Sequence, residues 1–303
     1  MNGQALLILA YAALAVFVIV AVYRTWKTAR MPVHLRWELA PVPREKGKAA
    51  YGGSYYEEFE WWTKKRSVSR TGEILYMLKE ILFLKAVWER NRKLWIFSFA
   101  LHSGIYLLVF MLLVLCADLA LIPRRAVDEA LRAAAFVLAA AGYAIGAFGA
   151  AGLFVKRLVD PSLEPFTTPA ARFNLLFLLA MFASGGAACL MAGDYPAGMQ
   201  LFLLSFFTGD GSFALHPVLA AHVAITALFA AYLPFTFMIH FLAKYFTYHE
   251  IRWNDEPMND AMAKKMEAQL GRGLTWSAPH VRGGGGKTWA DAAREVNGNE
   301  KKS

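Results

Sequence analysis

The sequence predicts an all-α membrane protein, a bundle of five transmembrane helices with the N-terminus outside and the C-terminus in the cytoplasm. Of its 303 residues, 57% are hydrophobic and only 18% are charged, and the mean hydropathy is +0.35, which is unusual for a soluble chain. The apolar residues are concentrated in five runs of roughly twenty residues, each long enough to cross a hydrocarbon core of about 30 Å as a helix. The distribution of Lys and Arg between these runs predicts the orientation.

The five predicted spans follow one another with a long polar insert after the first. The first has no basic residue before it and is followed at once by Arg24, Lys27 and Arg30, which is typical of an anchor and not of a cleaved signal peptide. The spans are predicted over residues 5–23, 94–115, 130–155, 173–191 and 217–245. The chain therefore divides into a first span (1–23), a cytoplasmic insert (24–93), a four-helix membrane core (94–245) and a cytoplasmic C-terminal arm (246–303).

The basic residues indicate a multi-pass protein of a bacterial or archaeal cytoplasmic (inner) membrane. With the N-terminus outside, 29 of the 32 Lys and Arg residues fall on the cytoplasmic side, and only Arg124, Arg125 and Arg132 fall on the other. The outer loop 193–215 carries no basic residue. Its apolar stretch Met199 to Phe207 is too short to span, so it predicts an interfacial helix or a cap in the outer leaflet.

Two segments outside the spans have helical patterns. Residues 72–92 place apolar side chains at helical spacing and predict one amphipathic helix leading into span two, either on lipid or as a docking surface. The tail predicts a short helix over Asn259 to Leu270 and then an arm that becomes ordered on a cytoplasmic partner. Its GGGGKT string is not a phosphate loop, because the first required glycine would fall at Val281.

Several other features favour packing or orientation over chemistry. The net charge of +9 is explained by the membrane orientation, so we expect no nucleic-acid partner. Cys116 and Cys189 lie in apolar runs without CxxC spacing and are expected to be small packed residues, which leaves any iron–sulfur chemistry to a partner. Gly142 and Gly146, with Gly149 and Gly152, indicate close helix packing.

Histidines inside the spans are the strongest functional signal, because a histidine in hydrocarbon requires a ligand, a proton path or a partner group. His222 and His240 are 18 residues apart, which in a continuous helix is five whole turns, so both would project from one face about 27 Å apart. Two stacked heme b groups would suit this spacing. His102 lies at a depth similar to that of His240, and we predict that these two histidines hold the inner heme.

The outer site is open to three interpretations. His222 holds a five-coordinate heme, shares a heme with Met111, or binds no heme and hydrogen bonds to a quinone or a neighbouring helix. We favour a heme at His222. His216 lies about 240° round the helix from His222 and Arg132 begins span three. Both are candidates for a quinone site, although Arg132 could equally extend its charge to the interface.

These residues resemble the gamma subunit of respiratory nitrate reductases. Span five, HVAITALFAAYLPFTFMIH, resembles that family's last span, with two histidines 18 apart and an intervening Pro-Phe, and FALHSGIYLLVF resembles its heme-bearing second span. The long insert and the tail LTWSAPHVRGGGGKTWADAARE look closer to its relatives, the membrane cytochrome b subunits of the Dsr complex of sulfur metabolism and of heterodisulfide-reductase-type complexes. The resemblance covers all five spans.

The resemblance implies a conduit for electrons between menaquinol or menaquinone and a cytoplasmic iron–sulfur protein of heterodisulfide-reductase type, with further complex subunits possible. It implies two b hemes, at least one of them at His102 and His240, and a second at His222. The family has another histidine ten residues after the first on span two, and this chain has Leu112 there. The alternative function is a heme-free membrane anchor for a cytoplasmic enzyme. A transporter is disfavoured because the five spans show no inverted repeat.

Overall fold

The computed structural model describes residues 2–31, 60, 70–121, 129–244, 260–275 and 285–299. The chain forms two compact units. The first comprises Met1–Tyr23 with Leu75–Ile239, and the second comprises Arg24–Ile74 with His240–Ser303. Residues 32–59 and 61–69 of the predicted insert, and Trp276, Pro279 and His280 of the tail, lie outside the described residues.

The prediction of five helices suited to crossing a membrane is confirmed, while the orientation of the termini stays a prediction. Each of the five helices is long and apolar enough to cross a membrane. Within the most apolar window of each, only 28% to 44% of the residues are buried, so most of these apolar side chains face outward, as lipid contact requires. The described helices are α1 Gly3–Ala29, α2 Arg70–Phe83, α3 Lys85–Arg90, α4 Arg92–Leu121, α5 Glu129–Val159, α6 Pro169–Met191, α7 Tyr195–Thr208, α8 Pro217–Tyr232, α9 His240–Lys244, α10 Asp260–Leu270 and α11 Trp289–Asn299.

The first unit is built from spans that pack in chain order. Helix α4 packs along α5, α5 along α6, and α6 along α8. Small residues allow this approach: a Cβ on Gly146 would lie 2.3 Å from the Phe182 ring, and one on Gly149 would lie 2.2 Å from the backbone nitrogen of Leu101. The predicted role of the α5 glycines in close packing is therefore confirmed.

Helix α7 covers one end of the first unit, which we call the α7 end; there α4 and α6 finish and α5 and α8 begin. Asp194 caps α7 by accepting from the Ala197 amide, and Gly209 ends it in the left-handed conformation. Helix α7 packs against α4 and α5, and the Tyr11 hydroxyl of α1 donates to the Phe206 carbonyl. The predicted short helix or cap over Met199 to Phe207 is a helix packed on the spans.

The prediction of a single amphipathic helix over residues 72–92 is wrong. The chain forms α2 and α3 instead, separated by Leu84, whose φ of 50° is left-handed. The turn is held by side chains of α4: the Trp95 indole donates to the Phe83 carbonyl and the Tyr106 hydroxyl to the Ile81 carbonyl. These carbonyls lack helical partners at the end of α2, so the tertiary donors stabilise the break.

Span five is not the continuous helix predicted over 217–245. Helix α8 ends at Tyr232 and is followed by 3₁₀ turns Leu233–Phe235 and Phe237–Ile239 before α9 begins. Pro234 has no amide hydrogen and its ring crowds the preceding turn, while the Thr236 hydroxyl replaces helical bonds by accepting from the Met238 amide. His222 and His240 are therefore not separated by five whole helical turns, and their position on a common face stays a prediction.

In the second unit, the predicted helix at Asn259 to Leu270 is confirmed as α10. The tail also contains α11, which was not predicted, and an antiparallel bridge joins Gly273 to Thr288. The Leu274 amide donates to the Lys287 carbonyl at 2.8 Å. Thr288 caps α11, because its hydroxyl oxygen accepts from the Asp291 amide.

Candidate functional site

His222 is buried in the first unit, and both nitrogens of its ring are hydrogen bonded. It lies in the second turn of α8 with 3% of its surface exposed. The Nε2 atom is 2.8 Å from the Tyr143 hydroxyl of α5, and the Nδ1 atom is 3.0 Å from the Ser184 hydroxyl of α6. Three different spans supply these groups, so tertiary packing brings them together.

The Tyr143 hydroxyl extends this contact to α7. It lies 2.6 Å from the Tyr195 hydroxyl, and the two rings meet edge to face. Tyr195 is completely buried, at 0% exposure. A Cβ on Gly185 would lie 2.2 Å from the Tyr143 ring, so glycine at that position of α6 gives the ring its room. We call Ser184, His222, Tyr143 and Tyr195 the His222 junction.

Both neutral tautomers of His222 complete the hydrogen bonding of the junction. When the Ser184 hydroxyl donates to the Met181 carbonyl at 2.9 Å, its oxygen accepts from Nδ1–H, and Nε2 accepts from the Tyr143 hydroxyl, which accepts from Tyr195. In the other tautomer the Ser184 hydroxyl donates to Nδ1, and Nε2–H donates to the Tyr143 hydroxyl, which donates to Tyr195. A neutral imidazole thus satisfies both of its nitrogens inside the protein.

His102 makes a hydrogen bond within its own helix. Its Nδ1 atom is 2.7 Å from the Ser98 carbonyl, one turn earlier in α4, and Nδ1–H donates to that oxygen. The ring is half-buried and its centroid is 6.4 Å from that of Tyr106. A backbone carbonyl on Nδ1 fixes the tautomer in which Nε2 can bind a metal, as in many metal-ligating histidines.

Three other predicted heme or quinone residues lie apart from the His222 junction's hydrogen bonds. His240 is the first residue of α9, is exposed and belongs to the second unit, so its pairing with His102 stays a prediction. His216 is exposed immediately before α8 and makes no side-chain capping bond. Met111 is 2% exposed and packs in the hydrophobic core of the first unit.

Arg132, the predicted quinone contact, lies at the α7 end. Its guanidinium forms an ion pair with Asp194 at 3.2 Å, the same carboxylate that caps α7. Together they border an open surface depression of about 430 Å³, lined also by Ala133, Phe136, Gly193 and Pro196. Arg132 therefore forms a defined ion pair and does not only extend its charge to the membrane interface, although both side chains remain partly exposed.

Sequence reasoning missed a second buried polar contact at the α7 end. Asp118 of α4 is 4% exposed and accepts from the Gln200 side chain of α7, which is itself 6% exposed. This acidic residue lies just beyond the predicted end of span two at residue 115 but within the observed helix α4, and an isolated acidic residue beside an apolar run was a usable signal, because ionisable groups are costly there. Tyr143 and Ser184 gave no such signal, since hydroxyl side chains are common in membrane helices.

The two histidine environments fit a heme to different degrees. His102 fits an axial ligand, because Nδ1 is fixed by a carbonyl. At His222 both ring nitrogens are hydrogen bonded to protein hydroxyls, so iron at Nε2 would have to displace Tyr143, and the residues as arranged do not fit a second heme. Within the described parts of the chain, no group of three or more His, Cys, Asp or Glu side chains could hold a bare metal ion.

The other predicted packing residues behave as expected. Cys189 is buried and Cys116 is half-buried, and both are free thiols.

Comparison with known proteins gives no identification: no protein-family model matches the chain, and neither a curated protein nor a solved structure is significantly similar to it.

Proposed function

We propose that this chain is a cytochrome b-type membrane subunit that passes electrons between menaquinol or menaquinone and a cytoplasmic iron–sulfur oxidoreductase. His102 and His240 are the proposed axial ligands of a heme b in the inner half of the membrane. The observation that carries the proposal is the His102 ring, an imidazole inside a membrane span whose Nδ1 is fixed by the Ser98 carbonyl. Heme b, when bound, supplies a one-electron redox centre.

The charge distribution supports the proposed orientation and partner. A cytoplasmic location for residues 24–94, 156–172 and 244–303, which include the insert and the tail, puts 29 of 32 basic residues on one side. These segments provide the surface on which an iron–sulfur protein of heterodisulfide-reductase type would dock, and the membrane is the cytoplasmic membrane of a bacterium or archaeon. Further subunits could bind to the same side.

The α7 end is the proposed quinone side. Oxidation of one menaquinol to menaquinone releases two protons to the outside and two electrons, which leave one at a time. The Arg132 guanidinium beside the depression at this end can donate a hydrogen bond to a quinone oxygen. His216 is exposed at this same end and is a second polar group near the membrane surface.

The protein's own contribution is to position and insulate the electron path. Close packing of α4 on α5 through glycines, and the cover provided by α7, leave little room for water in the first unit. Electrons moving to the cytoplasm oppose a potential that is negative inside by about 2.3 kcal/mol per charge per 100 mV, so the acceptor must be downhill. The same path operates in reverse when quinone is reduced.

A second candidate function is a heme-free membrane anchor for a cytoplasmic enzyme. The specific observation in its favour is the His222 junction, in which an intramembrane histidine is fully hydrogen bonded by protein groups. An anchor would need the charged cytoplasmic segments but no redox centre. The two candidates differ in one measurable quantity, the heme content of the purified chain.

The test is a pyridine hemochrome assay with a reduced-minus-oxidised spectrum on the full-length protein. We expect heme b in the wild type, and we expect His102→Ala and His240→Ala each to remove the same low-spin heme. His216→Ala is the matched control, an exposed histidine that should leave the inner heme unchanged. Absence of heme from the wild type would favour the anchor, and a low-spin heme retained in His102→Ala would contradict the assigned ligand.

A further inference from the structure

We propose that His222 is not an iron ligand but the centre of a hydrogen-bonded junction that fastens α7 to three spans, and that the chain therefore carries one heme. This stoichiometry rests on the proposed function, whereas the junction itself does not. The junction joins α6 through Ser184, α8 through His222, α5 through Tyr143 and α7 through Tyr195. It replaces the second heme implied by the resemblance to nitrate reductase gamma subunits.

The first support is the completeness of the hydrogen bonding. In either tautomer Nδ1 is hydrogen bonded to Ser184 and Nε2 to Tyr143, so no nitrogen of the ring is left to bind iron without breaking a bond. Breaking the Nε2 bond would leave the Tyr143 hydroxyl without this partner in a region where water is scarce, which is costly. A ligand histidine usually has one nitrogen for the metal and one for a hydrogen bond.

The second support is the packing around the junction. The Tyr143 ring meets the His222 ring edge to face at 5.2 Å, which is direct contact and leaves no gap for a macrocycle on that side of the imidazole. The backbone of α6 at Gly185 also lies against the Tyr143 ring, since a Cβ there would be 2.2 Å from it. Tyr143 and His222 are 4% and 3% exposed, so both rings are enclosed.

The third support is the sequence of span two. The resemblance requires a histidine at 112 as the second ligand of the outer heme, and Leu112 is present. Leu112 is exposed, on the outward side of α4, and Met111, the other candidate, is part of the hydrophobic core. The absence of a histidine at position 112 and the complete hydrogen bonding of His222 are separate observations, and both argue against an outer heme.

Cys189 offers a native probe of the junction. It lies in α6, five residues after Ser184, is 6% exposed, and is close enough to Tyr143 of α5 and Tyr195 of α7 to interact electrostatically with both. In a Cys116→Ser background it is the remaining thiol, so its rate of reaction with a water-soluble maleimide reports how often α7 opens. Removal of junction hydrogen bonds should raise that rate several-fold.

The experiment combines this rate with heme counting on the full-length protein in lipid nanodiscs. We expect one heme per chain in the wild type. His222→Ala and Tyr143→Phe should keep that heme and its spectrum while Cys189 labelling becomes several-fold faster. Tyr232→Phe is the matched control, because it removes a hydroxyl that donates to Asn174 away from the junction and should leave Cys189 slow.

The outcomes separate this inference from the proposed function. Two hemes per chain, with one lost in His222→Ala, would overturn the inference and leave the proposed function intact. No heme in any variant, with fast Cys189 labelling in Tyr143→Phe, would remove the proposed function and the heme count but support the junction. Equal labelling in Tyr143→Phe and Tyr232→Phe would overturn the junction.

Discussion

The regions around His102 and His222 use the same residue type in opposite ways. The Nδ1 atom of His102 is hydrogen bonded to the carbonyl of Ser98, one turn earlier in the same helix. The His222 ring is fixed by side chains from two other spans, which occupy both nitrogens. The comparison shows that a histidine inside a membrane helix indicates a polar requirement without saying whether the protein or a cofactor meets it.

The largest expected effect comes from a substitution that displaces helix α4 next to His102. Gly149→Ala places a Cβ 2.2 Å from the backbone nitrogen of Leu101, the residue before His102, so α4 must move away from α5. We expect destabilisation of about 1–3 kcal/mol, with loss of heme from the purified protein. The measurement is the thermal unfolding midpoint in nanodiscs together with the heme content.

Gly186→Ala is the control for this substitution. Its nearest contact would be 3.9 Å from the Tyr143 Cβ, so the added methyl group fits, and alanine favours the helix. Equal midpoints for the two variants would contradict the close packing of α4 on α5.

An intermediate effect is expected at one of the two serines that are hydrogen bonded to these histidines, because His222 uses a serine side chain and His102 uses a serine carbonyl. Ser184→Ala removes the hydrogen-bond partner of His222 Nδ1 and should cost about 1 kcal/mol, because a buried polar group loses its partner. Ser98→Ala should change stability by less than about 0.5 kcal/mol, since His102 bonds to the backbone carbonyl, which alanine retains.

Chemical or thermal unfolding of both serine variants in the same lipid provides the measurement. A Ser98→Ala variant that loses as much stability as Ser184→Ala would mean that the two histidines are not held in the different ways described above.

The smallest effect concerns the ion pair at the α7 end. Arg132→Gln should cost less than about 1 kcal/mol, because the pair is partly exposed and screened by salt. Asp194→Ala should cost more, since it also removes the N-cap of α7. Unfolding midpoints at low and high salt distinguish the two contributions: only the part due to the ion pair should fall with salt.

The sequence predicted the spans more accurately than the segments at their ends. Apolar runs of the required length located all five helices, and the apolar stretch at 199–207 located α7. The breaks at Leu84 and Leu233–Ile239 were missed. Pro234 was a visible warning in the second case, whereas the left-handed Leu84 depends on donors from Trp95 and Tyr106 that lie far along the chain.

The sequence by itself determined that this is a multi-pass helical membrane protein with histidines at costly positions, because hydrophobic length and intramembrane polarity are local properties of the chain. Only the tertiary structure decided what surrounds those histidines. The residues that are hydrogen bonded to each other in the His222 junction are 38 to 79 positions apart in the sequence, so no local spacing pattern relates them. Their meeting follows from the packing of α5, α6, α7 and α8, which glycines at the helix contacts permit.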